Sequence, residues 1–357
     1  MTTSGFPVSE GFVPFRGFRT WTRVVGEREE PGKAPILVLH GGPGAAHHYL
    51  EPLAALAESG RRVVFYDQLG CGRSDRPHDP SLWSVALFVE ELAAVRAALG
   101  LTRVHLLGQS WGGMLAMEAA VGQSPGLVSL VLADAPASMD LWVTEANRLR
   151  GGLPPEVQAT LRKHEEAGTT DEAEYQDATM VFTRRHVCRL DPFPECLERS
   201  FAQLGEDPEV YHTMNGPSEF HVVGRLRGWD LTARLREIRL PALVLGGRYD
   251  EATPAITEAV HRALPGSEWV IFENSSHMPH LEEPERFRET VEAFLGRAES
   301  PPGRAGRPTE EPAASGPPWS PVGPESLFSP GGRRSPRRSS GRTTRGSGGR
   351  RRPARPR

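Results

Sequence analysis

The amino-acid sequence predicts an α/β fold in which helices cover both faces of a doubly wound, mostly parallel sheet. The first observation is a series of short, almost continuous apolar runs, which is typical of strands buried on both faces. The second is that helical patterns separate most of these runs, as strand–helix–strand units require. The apolar runs cover residues 34–40, 61–67, 103–108, 127–134, 241–247 and 268–273.

Further patterns place individual elements along the chain. Residues 11–27 predict an opening hairpin ahead of the first parallel strand. Residues 81–100 carry an amphipathic repeat that ends in Gly100, which is a typical helix stop signal. Thr253 and Pro254 resemble an N-cap followed by proline at the first helical position, so we expect a helix to begin there.

The alternation of strands and helices breaks once, in a helix-like stretch that lacks a strong strand run. Roughly 100 helical residues placed between two strands predict a cap before the last two strands, over the sheet edge where α/β proteins bind ligands. We therefore expect this cap to select the substrate. The predicted divisions are a first core segment, the cap, a second core segment and a tail, at residues 1–135, 136–235, 236–298 and 299–357.

The tail differs sharply in composition from the rest of the 357-residue chain. Gly, Pro, Arg and Ser dominate it, and such a stretch cannot bury enough apolar surface to fold, so we predict disorder. Residues 301–357 hold 13 arginines and three glutamates, although the formal net charge of the whole chain is −3. The remaining residues are therefore acidic, which argues against nucleic acid as the main partner. A tether to RNA, DNA or a membrane surface through the tail is the alternative that we leave open.

Cysteine usage and hydropathy favour a cytoplasmic protein. Cys71, Cys188 and Cys196 are too few for a disulfide framework and suit a reducing compartment. No stretch approaches the roughly 20 apolar residues of a membrane helix, and no secretory signal pattern is present. The sequence also has no CxxC or HExxH pairing, so we expect no metal site, no cofactor and no membrane partner.

The segment around Ser110 predicts a catalytic nucleophile. It passes from a strand through Gly108-Gln109-Ser110-Trp111-Gly112 into a helical pattern, which is the G-x-S-x-G elbow in its required context. The turn is too tight for side chains at the two glycine positions, and the serine hydroxyl is pushed above the sheet. A chance glycine turn is the alternative reading of the motif.

A glycine-rich loop at residues 40–44, His-Gly-Gly-Pro-Gly, follows the first long strand. Glycines let the backbone approach a ligand and present N–H groups, which can stabilise the negative oxygen of a tetrahedral intermediate. We assign the two donors to the N–H groups of Gly42 and Trp111, the latter being the residue after the nucleophile. We expect His40 to shape this loop.

A serine hydroxyl needs a base, and the base needs a group that orients it. His277 follows the last predicted strand and is our candidate base; His280 lies three residues on, where a helix begins. Asp250 lies just beyond a strand end and is our candidate acid, with Asp134 as its competitor at another strand end. The order serine, aspartate, histidine is that of α/β-hydrolases.

Together these motifs resemble the prolyl aminopeptidase (proline iminopeptidase) family of α/β-hydrolases, and most closely its tricorn-interacting aminopeptidase branch. The resemblance covers about residues 10–297 and implies release of an unblocked N-terminal residue from short peptides or aminoacyl amides. It also implies that Glu219 and Glu251 hold the free amine of the substrate, since a buried ammonium needs a charged partner. The motifs are HGGPG (40–44), YDQLGCGRSD (66–75), GQSWGG (108–113), MNGPSEF (214–220), GRYDEATP (247–254) and SSHMPHLEEPERF (275–287).

One position departs from the proline-specific pattern of that family. Many such members have arginine after Asp-Gln, where this chain has Leu69, so the preferred N-terminal residue can be proline or another small apolar residue. An amino-acid amidase or an esterase with the same three residues is the alternative activity. Cys71, in the same loop, is expected to be a packing residue rather than a reactive thiol.

Overall fold

Eight strands form one sheet in the computed structural model, which describes residues 5–300. Their order across the sheet is β1-β2-β4-β3-β5-β6-β7-β8. The pairs β1–β2 and β2–β4 are antiparallel, and every pair from β4 to β8 is parallel. The strands are β1 (Val8–Phe15), β2 (Phe18–Val25), β3 (Ile36–Leu39), β4 (Val63–Tyr66), β5 (Val104–Gln109), β6 (Leu127–Ala133), β7 (Ala242–Gly247) and β8 (Glu268–Phe272).

Ten α-helices and two 3-10 helices complete the described part of the chain. The 3-10 helices cover His48–Ser59 and Thr232–Glu237. The α-helices are α1 (Val85–Ala98), α2 (Trp111–Val121), α3 (Met139–Arg150), α4 (Pro155–Ala167), α5 (Ala173–His186), α6 (Glu195–Glu206), α7 (Glu209–Met214), α8 (Pro254–Ala263), α9 (Pro279–Glu282) and α10 (Pro284–Glu299).

The core lies on both faces of the sheet, as the continuous apolar runs predict. In β3, Leu37 packs into the cluster that contains α1, α2 and α8, while the adjacent Val38 packs into the cluster that contains α10. Because successive strand residues point to opposite faces, a strand covered on both sides is apolar at nearly every position. The predicted doubly wound, mostly parallel sheet is therefore confirmed.

The helices α3–α7 follow β6 and precede β7, which confirms the predicted helical insertion before the last two strands. Helix α6 packs against the 3-10 helix His48–Ser59. Helix α8 begins at Pro254 as predicted, but the hydroxyl of Thr253 does not cap it. It donates instead to Oε2 of Glu145 in α3, at 2.7 Å, and so ties the insertion to the end of β7.

Two features differ from the sequence-based expectations. The 3-10 helix His48–Ser59 was not predicted, and it contains Pro52, which interrupts a regular helical pattern. Helix α10 continues to Glu299, one residue beyond the predicted end of the core. The predicted disordered tail, from residue 301 onward, lies outside the described residues. Among residues 5–300 no helix combines the length and apolar character that a membrane span needs.

Glu299 is held at the end of the sheet opposite the strands' carboxyl ends. Its Oε1 accepts hydrogen bonds from the Arg61 guanidinium at 2.5 Å, the backbone N–H of Ala34 at 2.7 Å and Nε2 of His105 at 2.9 Å. Burial alone would raise the pKa of Glu299, but the hydrogen bonds from His105 and Arg61 outweigh it and lower the pKa to about 2. This carboxylate therefore fastens the end of α10 to the sheet.

We expect Glu299→Gln to lower the free energy of unfolding at pH 7 by about 3 kcal/mol, as loss of one partner of a buried ion pair does. Urea unfolding measures this, with Glu289→Gln on the exposed side of α10 as the control. Because a lowered pKa stabilises the fold above the unfolded value of about 4.3, the difference should shrink as pH falls from there. A difference independent of pH would contradict the charged role of Glu299.

Candidate active site

Ser110 occupies the turn between β5 and α2, with the strained backbone angles φ 56° and ψ −121°. A Cβ on Gly108 would collide with the carbonyl oxygen of Gly112, and one on Gly112 would collide with that of Leu39. Both glycines of the motif are therefore required by close backbone approach. The turn puts Ser110 at the N-terminal end of α2, where free N–H groups favour negative charge.

The glycine-rich loop after β3 lies against this turn. A Cβ on Gly41 would be 2.8 Å from Oε1 of Gln109 and 3.1 Å from the Cβ of Ser110, so a larger residue would displace the Gln109 side chain. Gly42 has φ 105°, a conformation that glycine adopts readily. Gly42 and Trp111 both line a recess beside Ser110. Trp111 is the first residue of α2, so no carbonyl group of an earlier helical turn is present to accept a hydrogen bond from its N–H.

His277 follows β8 and contacts the carboxyl group of Asp250, which follows β7. Nδ1 of His277 donates to Oδ1 of Asp250 at 2.7 Å, and both side chains are buried. Asp250 Oδ1 also accepts the backbone N–H of Ala252 at 2.7 Å. The other candidate base, His280, points elsewhere: its Nε2 lies 3.1 Å from the backbone oxygen of Tyr49, and burial lowers its pKa to about 4.

A chain of hydrogen bonds connects the loops that carry these groups. The N–H of Gly41 donates to the Tyr49 hydroxyl at 2.7 Å, and that hydroxyl donates to Oε1 of Gln109 at 2.6 Å. Nε2 of Gln109 donates to the backbone oxygen of His277 at 3.0 Å. Gln109 precedes Ser110, so one amide side chain joins the glycine loop, the nucleophile turn and the histidine loop.

Glu219 and Glu251 approach this site from two sides. Glu251 lies between β7 and α8, and its Oε1 is 3.6 Å from Nε2 of His277. Glu219 follows α7, and its Oε1 accepts the Tyr211 hydroxyl at 2.5 Å. Trp142 of α3 donates to the Glu219 backbone oxygen at 2.8 Å and packs edge-on against the His277 ring. Oε2 of Glu251 has no hydrogen-bond partner among residues 5–300.

Both glutamates hold their protons more tightly than an exposed carboxyl does. Burial raises the pKa of Glu251 well above its usual range, and the neighbouring charges of Glu219 and Asp250 raise it further. Burial also raises the pKa of Glu219, although the Tyr211 hydrogen bond and the His277 charge oppose the rise. A positive ligand group between the two carboxylates would relieve this unfavourable burial of like charge.

One cavity of about 540 Å³ unites most of the residues predicted from the sequence. Its lining includes Gly42, Ser110, Glu219, Glu251 and His277. Cap side chains from α5 and α6 form much of the remaining wall. Trp111 lines the adjoining recess and Asp250 lies behind His277, so all seven predicted side chains or backbone groups meet at the carboxyl ends of the strands.

The sequence reasoning missed four residues that shape the site. Tyr49 and Gln109 connect the loops, Tyr211 holds Glu219, and Trp142 packs on His277. Gln109 stands inside the G-x-S-x-G motif, so its position could have drawn attention. Tyr49 and Trp142 lie far along the chain from Gln109 and His277, and although Tyr211 is only eight residues from Glu219, no local pattern pairs them.

Other candidates from the sequence lie in the core. The His40 ring is buried, with its Nε2 accepting the N–H of Gln68 at 3.0 Å, and burial lowers its pKa to about 4. The neutral ring therefore packs beneath the glycine loop. Burial raises the pKa of the Cys71 thiol well above its usual range, so it is a packing residue and not a ready nucleophile. Leu69 is fully buried.

Among residues 5–300, one group of side chains has the spacing of metal ligands, namely Asp134, Asp250 and His277. Their nearest ligand-type atoms lie within 4.8 Å of one another. The hydrogen bond between His277 and Asp250 already uses two of these atoms. That no metal is needed stays a prediction.

Comparison with known proteins assigns this architecture to a family. The family described as the alpha/beta hydrolase fold matches residues 34–284. The crystal structure of a proline iminopeptidase from Mycobacterium smegmatis is 47% identical, with a TM-score of 0.76, over 82% of this chain and 99% of that one. The crystal structure of VinJ is 48% identical, with a TM-score of 0.79, over 81% of this chain and 99% of that one.

Two relatives from other organisms are also proline iminopeptidases. A proline iminopeptidase of Heyndrickxia coagulans is 43% identical over 83% of this chain and 99% of its own length. One from Saccharolobus solfataricus is 36% identical over 84% of this chain and 97% of its own length. Such identity over nearly whole relatives, on this fold, means that the chain belongs to the proline iminopeptidase family of α/β-hydrolases.

Proposed function

We propose that the protein is a serine exopeptidase that releases an unblocked N-terminal residue from short peptides or aminoacyl amides through an acyl-enzyme. The observation that carries this proposal is the shared cavity, in which Ser110 and His277 face two buried carboxylates, Glu219 and Glu251. A hydrolytic pair beside an anionic pocket suits a substrate whose reacting carbonyl lies next to a free amine. The family membership supports the same reaction.

In the first step His277 takes the proton of Ser110, and Ser110 Oγ attacks the first carbonyl carbon of the substrate. Asp250 accepts from Nδ1, which leaves Nε2 of the neutral ring free to act as base. The N–H groups of Gly42 and Trp111 stabilise the oxyanion that forms. The imidazolium then protonates the leaving amine, and the peptide bond breaks.

In the second step His277 removes a proton from water, which attacks the acyl-enzyme. The same two N–H groups stabilise the second oxyanion, and Ser110 leaves with the proton that His277 returns. The N-terminal residue departs as a free amino acid. All proton transfers in this scheme use Ser110, His277, the substrate and water.

The amine of the substrate lies between Glu219 and Glu251 in our proposal. An ammonium group enters a largely dehydrated pocket at a cost of several kcal/mol unless a charged partner meets it. Both carboxyl groups are buried, and burial disfavours their ionised forms. A bound ammonium group would therefore stabilise the ionised carboxylates, and they would in turn offset the cost of burying the ammonium. Binding energy from the amine thus positions the first carbonyl next to Ser110.

The recess beside Ser110 favours a small apolar N-terminal residue. Its walls include the side chains of Met114, Pro136, Met139, Trp142 and Leu226. These groups offer an apolar surface for proline or a residue of similar size, and Asn215 and Glu219 form the polar part of the lining. The cap, which we assign to residues 136–235, contributes all of these walls except Met114.

We expect N-acetylation of a prolyl arylamide to lower kcat/KM by at least about 100-fold, because the acetylated substrate lacks the cation that the two glutamates bind.

Glu251→Gln should lower kcat/KM for the free-amine substrate by about 30- to 1,000-fold, the range for loss of a buried charge partner. Exposed Glu206→Gln on α6 is the matched control. Steady-state kinetics of both substrates on each variant gives the result.

Equal turnover of the free and acetylated substrates would contradict the role of the glutamates. A preference for simple esters over aminoacyl amides would instead favour an esterase that uses the same serine, aspartate and histidine. Either outcome leaves the fold unchanged, because the same fold supports many hydrolytic reactions.

We further propose a cytoplasmic location. Cys71, Cys188 and Cys196 are all free thiols in the structure, and two of them are buried. Such thiols suit a reducing compartment. Any nucleic-acid contact is assigned to the arginine-rich tail, and salt-sensitive binding that is lost on removing residues 301–357 would support it.

A further inference from the structure

Asp134 is a buried carboxyl group that the proposed mechanism does not use. It follows β6 directly, is fully inaccessible to solvent and has φ 55°, which is uncommon for a residue other than glycine. Among residues 5–300 neither oxygen of its carboxyl group accepts a well-formed hydrogen bond, although the backbone N–H of Gly247 lies near enough to oppose the rise in its pKa, and Oδ2 of Asp250 has no partner either. Buried polar atoms without partners are rare and need an explanation.

The surroundings of Asp134 are mostly acidic. A carboxyl oxygen of Asp134, one of Asp250 and a ring nitrogen of His277 lie within 4.8 Å of one another. Glu282 contributes a further negative charge, and the Tyr49 hydroxyl also lies within reach of the Asp134 charge. Two ionised carboxylates at this separation repel each other in a buried site and cannot form a hydrogen bond.

A single proton resolves these contacts, because a protonated carboxyl group donates where an ionised one only accepts. We propose that Asp134 is a neutral carboxylic acid that donates its O–H to Oδ2 of Asp250, and thereby fixes the acid that orients His277. The proposal rests on the function proposed above. Burial and the neighbouring charges of Asp250 and Glu282 raise the pKa of Asp134 well above its usual range, in agreement with this assignment.

This arrangement makes Asp134 a positioning residue. Oδ1 of Asp250 already accepts from His277 and from the N–H of Ala252, so a donor on Oδ2 fixes the plane of the carboxylate from its other side. The pair keeps one negative charge in total, which is the charge that stabilises the imidazolium of His277. The acid of the site is therefore Asp250, and Asp134 is its hydrogen-bond donor.

Two substitutions distinguish hydrogen-bond donation by Asp134 from the effects of its charge and of its side-chain packing. Asp134→Leu removes the donor while filling the space, and we expect kcat to fall about 10- to 100-fold with KM nearly unchanged. Asp134→Asn supplies an amide N–H₂ in place of the acid O–H, and we expect it to restore kcat to within about 3-fold of the native protein. Other buried carboxyl groups such as Glu251 also hold protons tightly, so the readout is a native-minus-variant infrared difference spectrum. It should show the loss of one protonated carboxylic acid carbonyl band for each variant.

Thermal stability provides a readout that does not involve the substrate. A carboxyl whose pKa is raised by folding stabilises the fold at low pH and loses that contribution as pH rises. Asp134→Asn has no such proton to lose, so the Tm of this variant relative to the native protein should increase from pH 5 to pH 8. A Tm difference that does not change with pH, or the absence of that band from both difference spectra, would overturn the proposal.

The kinetic outcomes are equally decisive. If Asp134→Asn is as impaired as Asp250→Asn, then Asp134 acts as an anion and the proposal is wrong; if Asp134→Leu is fully active, its donation has no role. The rate at which a fluorophosphonate labels Ser110 repeats the comparison without any peptide substrate. Should arylamides fail while labelling follows the expected order, the peptidase function fails and this inference stands. Loss of labelling on addition of EDTA would assign the three side chains to a bound cation instead.

Discussion

Replacing Ser110 with alanine is expected to lower kcat for a prolyl arylamide by roughly 10⁴-fold or more, the range found when serine hydrolases lose their nucleophile. Without Oγ no acyl-enzyme forms, and only the oxyanion donors and bound water remain. KM should change little, because Glu219 and Glu251 hold the amine independently of the hydroxyl. Steady-state kinetics and the loss of fluorophosphonate labelling measure the two effects separately.

Ser124→Ala is the matched control for that experiment. Ser124 lies just beyond the C-terminal end of α2, the helix that begins after Ser110, and it takes no part in the cavity. Its substitution should leave kcat within about 2-fold of the native value, as is usual for changes away from packing and binding sites. Substantial activity in Ser110→Ala would mean that another group attacks the substrate, and the acyl-enzyme scheme would be abandoned.

Asp250→Asn is expected to lower kcat by about 10⁴-fold near pH 7, the loss known for the equivalent change in a serine protease. An asparagine can donate to Nδ1 and so hold His277 in the tautomer that protonates Nε2, the nitrogen needed as base. The imidazolium also loses its negative partner. KM for the free-amine substrate should again change little, since Glu219 and Glu251 remain in place.

Asp177→Asn, on the exposed surface of α5, controls for removal of one negative charge from the protein. Its kcat should match that of the native protein. If Asp250→Asn retained most of its activity while Asp134→Asn lost it, the orienting acid would be Asp134, and the roles of the two aspartates would be exchanged.

Much of the sheet and of the site could be predicted because their signals are local. A strand covered on both faces, such as β3, is apolar at nearly every position, and the turn at Ser110 admits only glycine at Gly108 and Gly112. Parallel strands also bring their carboxyl ends to one edge, so residues that follow β3, β5, β7 and β8 meet there. Each of these constraints acts on a short segment of the sequence and can be recognised there.

The remaining features depend on which side chains meet in space. Sequence alone left Asp134 and Asp250 as competing acids, since each follows the end of a strand. The structure places both beside His277 and gives the direct hydrogen bond to Asp250. Tyr49 and Tyr211 were likewise not predicted. Tyr49 meets Gln109 sixty residues further along the chain, and Tyr211 meets Glu219 only because the segment after α7 folds back on that short helix.

The amide of Gln109 has a consequence for how the site responds to disturbance. It is joined to the glycine loop through Tyr49 and directly to the main chain of His277, so three loops share one set of hydrogen bonds. Displacing any one of them strains the other two. The site therefore resists small fluctuations as a unit. Loss of the Gln109 hydrogen bonds would make the glycine loop, the Ser110 turn and the His277 loop less ordered at the same time.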